Sequence, residues 1–253
     1  MSNKSDRIIQ PDLPVLFFDF DDTLSEQTVF NLHYVRAIGQ ILAARFGGEE
    51  ARWAQSAIDM FVTLETQYIE RFQEVPTGYN AWFSTMHTQA MHLLFSSMSM
   101  AVPSDADRLS KTTQERALAE CDATFPDTLH VIASLYTAGY TLHMASGNDS
   151  EHLRCALKGA KLAPYFDRLY GPDLIDCAKE GRDFYARIFQ SLNIAPNRAI
   201  IIDNDPNAIA WAISVGAQAI QVDFLRNKQV LTSPGVLANI KDLTTLPLLI
   251  HQI

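Results

Sequence analysis

The sequence predicts an α/β protein whose core is a doubly wound parallel sheet, with a helical domain inserted after the first strand. Three almost continuous apolar runs, each followed by polar residues, are typical of central parallel strands buried on both faces. They span residues 14–20, 140–146 and 198–204. Helical patterns separate the runs in the second half of the chain, and such alternation of strand and helix is typical of a doubly wound sheet.

Two weaker strand patterns and four helices complete this predicted core. The weaker strands are 168–171 and 217–223, and the helices are 127–138, 149–158, 179–191 and 206–215. The last helix has the clearest ends, because Pro206 fits a first helical turn and Gly216 fits the position after a helix. We therefore expect a Rossmann-like sheet with helices on both faces.

The region between the first two strong strands has helical periodicity and little strand signal. Its helical segments are 29–46, 49–72 and 79–98. Residues 102–115 are polar and predict a linker that leads into a returning helix. We therefore expect a core domain made of 1–26 and 118–253 and a helical domain made of 27–117.

Composition and net charge limit the kinds of partner that the protein is expected to bind. The chain has 253 residues, of which 47% are hydrophobic and 19% are charged, and its net charge is -9. It can therefore bury a large core, and the negative charge disfavours nucleic acid and anionic membranes as partners. A small-molecule substrate is the expected partner, and the sequence does not predict an oligomeric state.

The sequence also predicts a cytoplasmic location. The N-terminal segment MSNKSDRIIQPDLP has no apolar stretch of the kind found in export signals, and no apolar run reaches about 18 residues. The three cysteines are odd in number and far apart, which favours reduced structural thiols. They are Cys121, Cys155 and Cys177.

Residues that can act on phosphate follow all three strong strands. In an open parallel sheet, ligands bind at the carboxyl ends of the strands, where side chains from separate loops meet. These residues are Asp19 and Asp21, then Ser146, then Asp203 and Asn204. Lys179 begins a predicted helix between the second and third strong strands. The sequence therefore predicts one polar site at this edge of the sheet.

These residues resemble the motifs of the haloacid dehalogenase superfamily, whose members are mostly magnesium-dependent phosphatases. The first motif, Asp-x-Asp-x-Thr, matches DFDDT at 19–23, and the second, a Ser or Thr after an apolar strand, matches Ser146. The third is a lysine followed about six residues later by an aromatic residue, as Lys179 is followed by Phe184 or Tyr185.

The fourth motif is an acidic pair or Gly-Asp before a helix that a glycine ends. It is similar to IIDNDP, in which Asn204 lies twelve residues before Gly216, at the family's metal-binding position. Asn204 replaces the more usual Asp, and Ala208 stands where many members carry another Asp. Asp203 or Asp205 could supply the missing charge, as part of the metal site or by orienting Lys179. The sequence leaves both roles open.

The resemblance implies a role for each matched residue. Asp19 would attack phosphorus, and Asp21 would act as general acid and then as general base. A Mg²⁺ ion held by Asp19, the Asp21 backbone carbonyl and Asn204 would reduce the repulsion between the nucleophile and the phosphate. Lys179 would add a second positive charge. Ser146 and Gly147 would bind the phosphoryl group, and Thr23 would brace the loop.

The expected function is hydrolysis of a small phosphorylated metabolite. Dehalogenating members of the superfamily generally lack the carboxylate at Asp21, because halide leaves without a proton. The helical domain resembles the cap of the first (C1) subclass, which closes over the site. Two alternatives remain: phosphoryl transfer as in a mutase, which Asp22 disfavours because many mutase-like members have Gly there, and a non-catalytic binding protein with a weakened metal site.

Overall fold

A computed structural model describes residues 12–252 and contains a six-stranded sheet in which all neighbouring strands are parallel. The strands are β1 (Val15–Phe18), β2 (Leu142–Ala145), β3 (Arg168–Tyr170), β4 (Ala199–Asp203), β5 (Gln218–Val222) and β6 (Val236–Ile240). Their order in the sheet is β3-β2-β1-β4-β5-β6. The predicted fold class is confirmed. Most of the N-terminal segment used to predict an unexported chain lies outside the described residues.

Ten α-helices occur in the described part of the chain. They are α1 (Gln27–Phe46), α2 (Glu50–Phe72), α3 (Tyr79–Ser97), α4 (Ala106–Ala119), α5 (Thr128–Thr137), α6 (Ser150–Gly159), α7 (Pro172–Ile175), α8 (Arg182–Leu192), α9 (Pro206–Ser214) and α10 (Leu246–His251). The predicted strands and helices are all present, whereas β6, α7 and α10 were not predicted. The prediction of a linker at 102–115 is wrong, because α4 begins at Ala106. Lys179 does not begin a helix as predicted, since it lies three residues before the start of α8. None of the helices within residues 12–252 has the length and apolar character needed to cross a membrane.

The two faces of the sheet are covered by different helices. Leu16 and Phe18 of β1 belong to a buried cluster that includes side chains of α5, α6 and α10. Phe17, between them, belongs to a second cluster with side chains of α8 and α9. Because successive strand residues point to opposite faces, a continuous apolar run is what a strand covered on both faces requires. The cysteines Cys121, Cys155 and Cys177 are buried and free.

Helices α1–α4, which we call the helical insertion, separate β1 from α5. They pack around buried Leu42, Trp53 and Phe95, and the Trp53 indole donates a 2.8 Å hydrogen bond to the Gly47 carbonyl. Helix α4 packs against α6 and α3 against α7, so the insertion lies beside the segments that follow β2 and β3. The division into domains at 27–117 stays a prediction.

The two connections between the insertion and the core are paired with each other. Glu26 donates a backbone hydrogen bond of 2.9 Å to Ala123, and Phe125 donates one of 3.0 Å to Leu24. Elsewhere, the segment between α2 and α3 contacts the loop after β3. There the Ala178 N–H donates a 2.7 Å bond to the Pro76 carbonyl.

Helices α1 and α2 approach each other closely at Gly39. A Cβ atom at this position would lie 2.6 Å from the backbone oxygen of Glu50, so the two helices must separate to accept a methyl group. Alanine in a helix interior normally gains about 1 kcal/mol over glycine. We expect the overlap to outweigh this gain, so that Gly39→Ala lowers the free energy of unfolding by about 1–3 kcal/mol. Denaturant unfolding would measure it.

The matched control for Gly39→Ala is Gln40→Ala, at the next position of the same helix. Gln40 is exposed, and its substitution should change the free energy of unfolding by no more than about 0.5 kcal/mol. A Gly39→Ala variant that is as stable as the wild type, or more stable, would contradict the close approach.

Candidate active site

Asp19 and Asp203 meet because β1 and β4 are adjacent and in register. Phe18 lies opposite Ile202, so the next residue of each strand falls at the same carboxyl edge. The Lys179 ammonium donates a 2.8 Å hydrogen bond to Asp19 Oδ1 and another of 2.8 Å to Asp203 Oδ2. One cation therefore holds two carboxylates from separate strands.

Burial is the largest single influence on the pKa values of Lys179, Asp19 and Asp203. The side chains of Lys179, Asp19 and Asp203 are 10%, 7% and 0% exposed. Burial raises the pKa of Asp19 above its ordinary value and that of Asp203 to about 6, and the charge of Lys179 opposes both shifts. Burial alone would lower the pKa of Lys179, but the two carboxylates hold it well above its ordinary value. The lysine is therefore charged at neutral pH.

Both oxygens of Asp203 are engaged within the protein. Oδ1 accepts a 2.9 Å hydrogen bond from the Asp205 N–H, while Oδ2 accepts from Lys179 and, at 3.4 Å, from the Tyr185 hydroxyl. The side chain of Asp205 instead accepts from the Asn207 N–H at the start of α9. Of the roles that the sequence left open for Asp203, this geometry favours orienting Lys179 over direct metal binding.

Asp21 lies in the turn after β1 and is held by a residue that the sequence did not single out. The Asn148 amide donates a 2.7 Å hydrogen bond to Asp21 Oδ2. Burial raises the pKa of Asp21 to about 6, and the nearby charge of Asp22 adds to the shift. Asn148 follows Ser146 by two residues in the run ASGN. Its position directly after a predicted strand could therefore have identified it from the sequence as a site residue.

Ser146 and Gly147 follow β2 directly. Ser146 is anchored by its backbone N–H, which donates a 3.0 Å bond to the Tyr170 carbonyl. Its hydroxyl oxygen lies 3.4 Å from the Asn148 nitrogen, and the residue is buried. Gly147 lines the adjacent cavity. A Cβ at Gly147 would meet no atom within 4 Å, so space does not require a glycine there.

The oxygen donors expected for a metal lie at the same place. Asp19, Asp21 and Asn204 all line the cavity, and the Thr23 hydroxyl donates a 3.3 Å hydrogen bond to Asn204 Oδ1, which orients the amide oxygen. Carboxylate, backbone carbonyl and amide oxygens are hard ligands that suit Mg²⁺. The donor set therefore fits this ion, and Thr23 contacts one of the side chains that would bind it.

The cavity extends from these residues into the helical insertion and has a volume of about 730 Å³. Asp19, Asp21, Lys179 and Asn204 line its catalytic end. Lys228, from the segment between β5 and β6, also lines the cavity. No sequence pattern pointed to Lys228, because that segment lies outside the four motifs.

Solved structures of related fold carry different activities. The 2-haloacid dehalogenase from Pseudomonas syringae pv. tomato DC3000 is 18% identical, with a TM-score of 0.65 over 95% of this chain and 99% of that chain. The HAD phosphatase from Thermococcus onnurineus is 17% identical, with a TM-score of 0.58 over 92% and 96%. The HAD hydrolase YfnB from Bacillus subtilis, solved with magnesium, is 15% identical, with a TM-score of 0.60 over 94% and 98%.

At these identities the structural likeness shows the fold alone. No match was found among curated proteins. A family model described as haloacid dehalogenase-like hydrolase matches residues 13–216, a span that contains all four motifs. The match covers most of the chain and includes the residues that meet at the sheet edge, so this protein belongs to the haloacid dehalogenase-like hydrolase family.

Proposed function

We propose that the protein is a magnesium-dependent phosphatase that hydrolyses a small phosphorylated metabolite through a phosphorylated Asp19. The observation that carries the proposal is the second carboxyl group, Asp21, which lines the cavity with Asp19 and has its pKa raised to about 6. An alkoxide leaving group needs a proton, whereas a halide does not. A carboxyl group with this pKa suits the donation of a proton near neutral pH.

In the first step, a carboxylate oxygen of Asp19 attacks phosphorus and the ester P–O bond breaks. Asp21 gives its proton to the departing oxygen, so the leaving group departs as a neutral alcohol. Lys179 fixes the orientation of Asp19 through Oδ1, which leaves the other carboxylate oxygen for the attack. Ser146 and Gly147 bind phosphoryl oxygens.

In the second step, a water molecule attacks the phosphorus of the aspartyl-phosphate and gives a proton to Asp21. The bond between phosphorus and Asp19 breaks, which releases inorganic phosphate and restores both carboxyl groups. A Mg²⁺ ion held by Asp19, the Asp21 carbonyl and Asn204 would supply positive charge to the phosphoryl oxygens. Two easier steps thus replace one difficult hydrolysis.

The test compares phosphate and halide release by the purified protein. We expect Mg²⁺-dependent release of phosphate from some members of a broad panel of phosphate esters. EDTA should abolish the release, added Mg²⁺ should restore it, and 2-chloropropionate should yield no chloride. Chloride release without phosphate release would overturn the proposal. Phosphate that appears on an acceptor instead of in solution would identify a phosphotransferase, and Mg²⁺-dependent binding without turnover would identify a binding protein.

A further inference from the structure

The cavity is far larger than a phosphoryl group bound at Asp19 requires. Its volume of about 730 Å³ lies in the range of pockets that enclose whole organic ligands, roughly 300–1,000 Å³. A phosphoryl group bound at Asp19 would fill only the catalytic end. The remaining space, lined by α1–α4, is therefore available to the leaving group of the ester.

The helical insertion lines this space mainly with aromatic and aliphatic side chains. Examples are Tyr34, Phe61, Trp82, Met91 and Leu94. Tyr34, Met91 and Leu94 are buried, and the rings of Tyr34 and Phe61 lie 5.4 Å apart. Such a surface stabilises a bound apolar group in proportion to the area removed from water.

The charges around the cavity disfavour an anionic leaving group. Within residues 12–252, no lysine or arginine of the helical insertion lines the cavity. Its lining ammonium groups both come from outside the insertion: Lys179, already bonded to two carboxylates, and Lys228, between β5 and β6. Glu65, Asp149 and Glu180 contribute further carboxyl groups. An anion placed against the side chains of the insertion would lose hydration without gaining a cationic partner from it.

One part of the lining is polar. Ser110 and His87 line the cavity, with the Ser110 oxygen 3.1 Å from His87 Nδ1, so these two side chains already pair with each other. Thr113 lines the cavity as well, but its hydroxyl oxygen is completely buried, so a ligand does not reach it. This part of the lining therefore does not require a polar group on the ligand.

We infer that the substrate, if the proposed phosphatase function holds, is a phosphate monoester of a neutral, largely apolar alcohol. The apolar body contacts the side chains of α1–α3. Leaving groups that carry a carboxylate or a second phosphate are disfavoured.

Three linear alkyl phosphates of equal length, ending in methyl, hydroxymethyl and carboxylate groups, test this inference. The terminal group is too far from phosphorus to alter the chemistry there, so differences in kcat/KM report contacts in the cavity. We expect the carboxylate ester to have a kcat/KM at least about tenfold below that of the methyl ester, since 1.4 kcal/mol corresponds to tenfold. The hydroxymethyl ester should not exceed the methyl ester, because its terminal hydroxyl would lie against apolar side chains.

A preference for the carboxylate ester, or for a sugar phosphate, over the methyl ester would overturn the inferred substrate class and leave the phosphatase function intact. The absence of phosphate release from every ester, sugar phosphates included, would instead overturn the phosphatase function, and the inference with it. The two failures are thus distinguishable in one set of assays.

Two variants test the lining directly. Phe61→Arg places a cation in the helical part of the cavity and should raise the carboxylate-to-methyl ratio of kcat/KM about tenfold. Ile69→Arg is the matched control, because Ile69 is exposed on the same helix and does not line the cavity; it should leave the ratio unchanged. An unchanged ratio in Phe61→Arg would contradict the inference.

Discussion

Replacement of Asp19 by asparagine or alanine is expected to abolish phosphate release from every ester. Removal of a nucleophile that forms a covalent intermediate costs on the order of 10⁴–10⁶-fold in kcat, and Asp203 cannot take its place, because it is fully buried and bonded. The measurement is phosphate release at saturating Mg²⁺. Alanine is included because it cannot revert to aspartate by deamidation.

Asp21→Asn is the matched control, since it removes the same charge two residues away. We expect a loss of about 10²–10⁴-fold that is larger for alkyl phosphates than for nitrophenyl phosphate, whose leaving group departs without a proton. Asp19→Ala should show equal loss for both. Substantial activity in Asp19→Ala would rule out the proposed mechanism.

Lys179→Met is expected to give the largest loss of stability. It removes the cation between two buried carboxylates while keeping an unbranched side chain of similar length. Leaving buried charges without their partner costs about 3–5 kcal/mol. Denaturant unfolding in EDTA, with circular dichroism to verify the fold, would measure the loss.

The pH dependence of this loss follows from the pKa directions. Burial raises the pKa of Asp19 and of Asp203, and Lys179 opposes the rise. Without the lysine, the folded state binds protons at pH values where the unfolded chain has released them, so stability falls as the pH rises through that window. We expect the deficit of Lys179→Met to be greatest at neutral pH and to shrink toward about pH 5.

A double variant provides the control for this interpretation. Lys179→Met combined with Asp203→Asn removes one of the two uncompensated charges and should recover part of the lost free energy. If the double variant is no more stable than Lys179→Met alone, then the deficit does not arise from carboxylate repulsion.

The sequence predicted the sheet and the polar edge where its carboxyl ends meet, because both depend on local patterns. Strands covered on both faces must be apolar throughout, and their carboxyl ends are marked by a sudden change to Asp19, Ser146 and Asp203. Strand β6 was missed because it is only partly buried, so its residues lack the continuous apolar pattern. Helix α7 is too short to show periodicity.

The contacts of the site depend on side-chain directions that spacing does not encode. The sequence left Phe184 and Tyr185 equivalent, and both rings lie in the same buried cluster, but the Tyr185 hydroxyl also reaches Asp203. Asn148 lies after β2 and Lys228 lies between β5 and β6. The spacing of residues does not show that these side chains reach the cavity. Chain order was therefore sufficient to collect the residues at one edge, but not to assign their partners.

The pairing of the two connections at residues 24–26 and 123–125 restricts how the cavity can open. A movement of α1–α4 that preserves those backbone bonds would pivot about that pair as a hinge, and it would also have to separate α4 from α6. The contacts on the other side, including the Ala178–Pro76 bond and the 2.8 Å bond from the Asn80 N–H to Asp176, then form a latch. Substrate entry by this route would require release of the latch while the hinge remains intact.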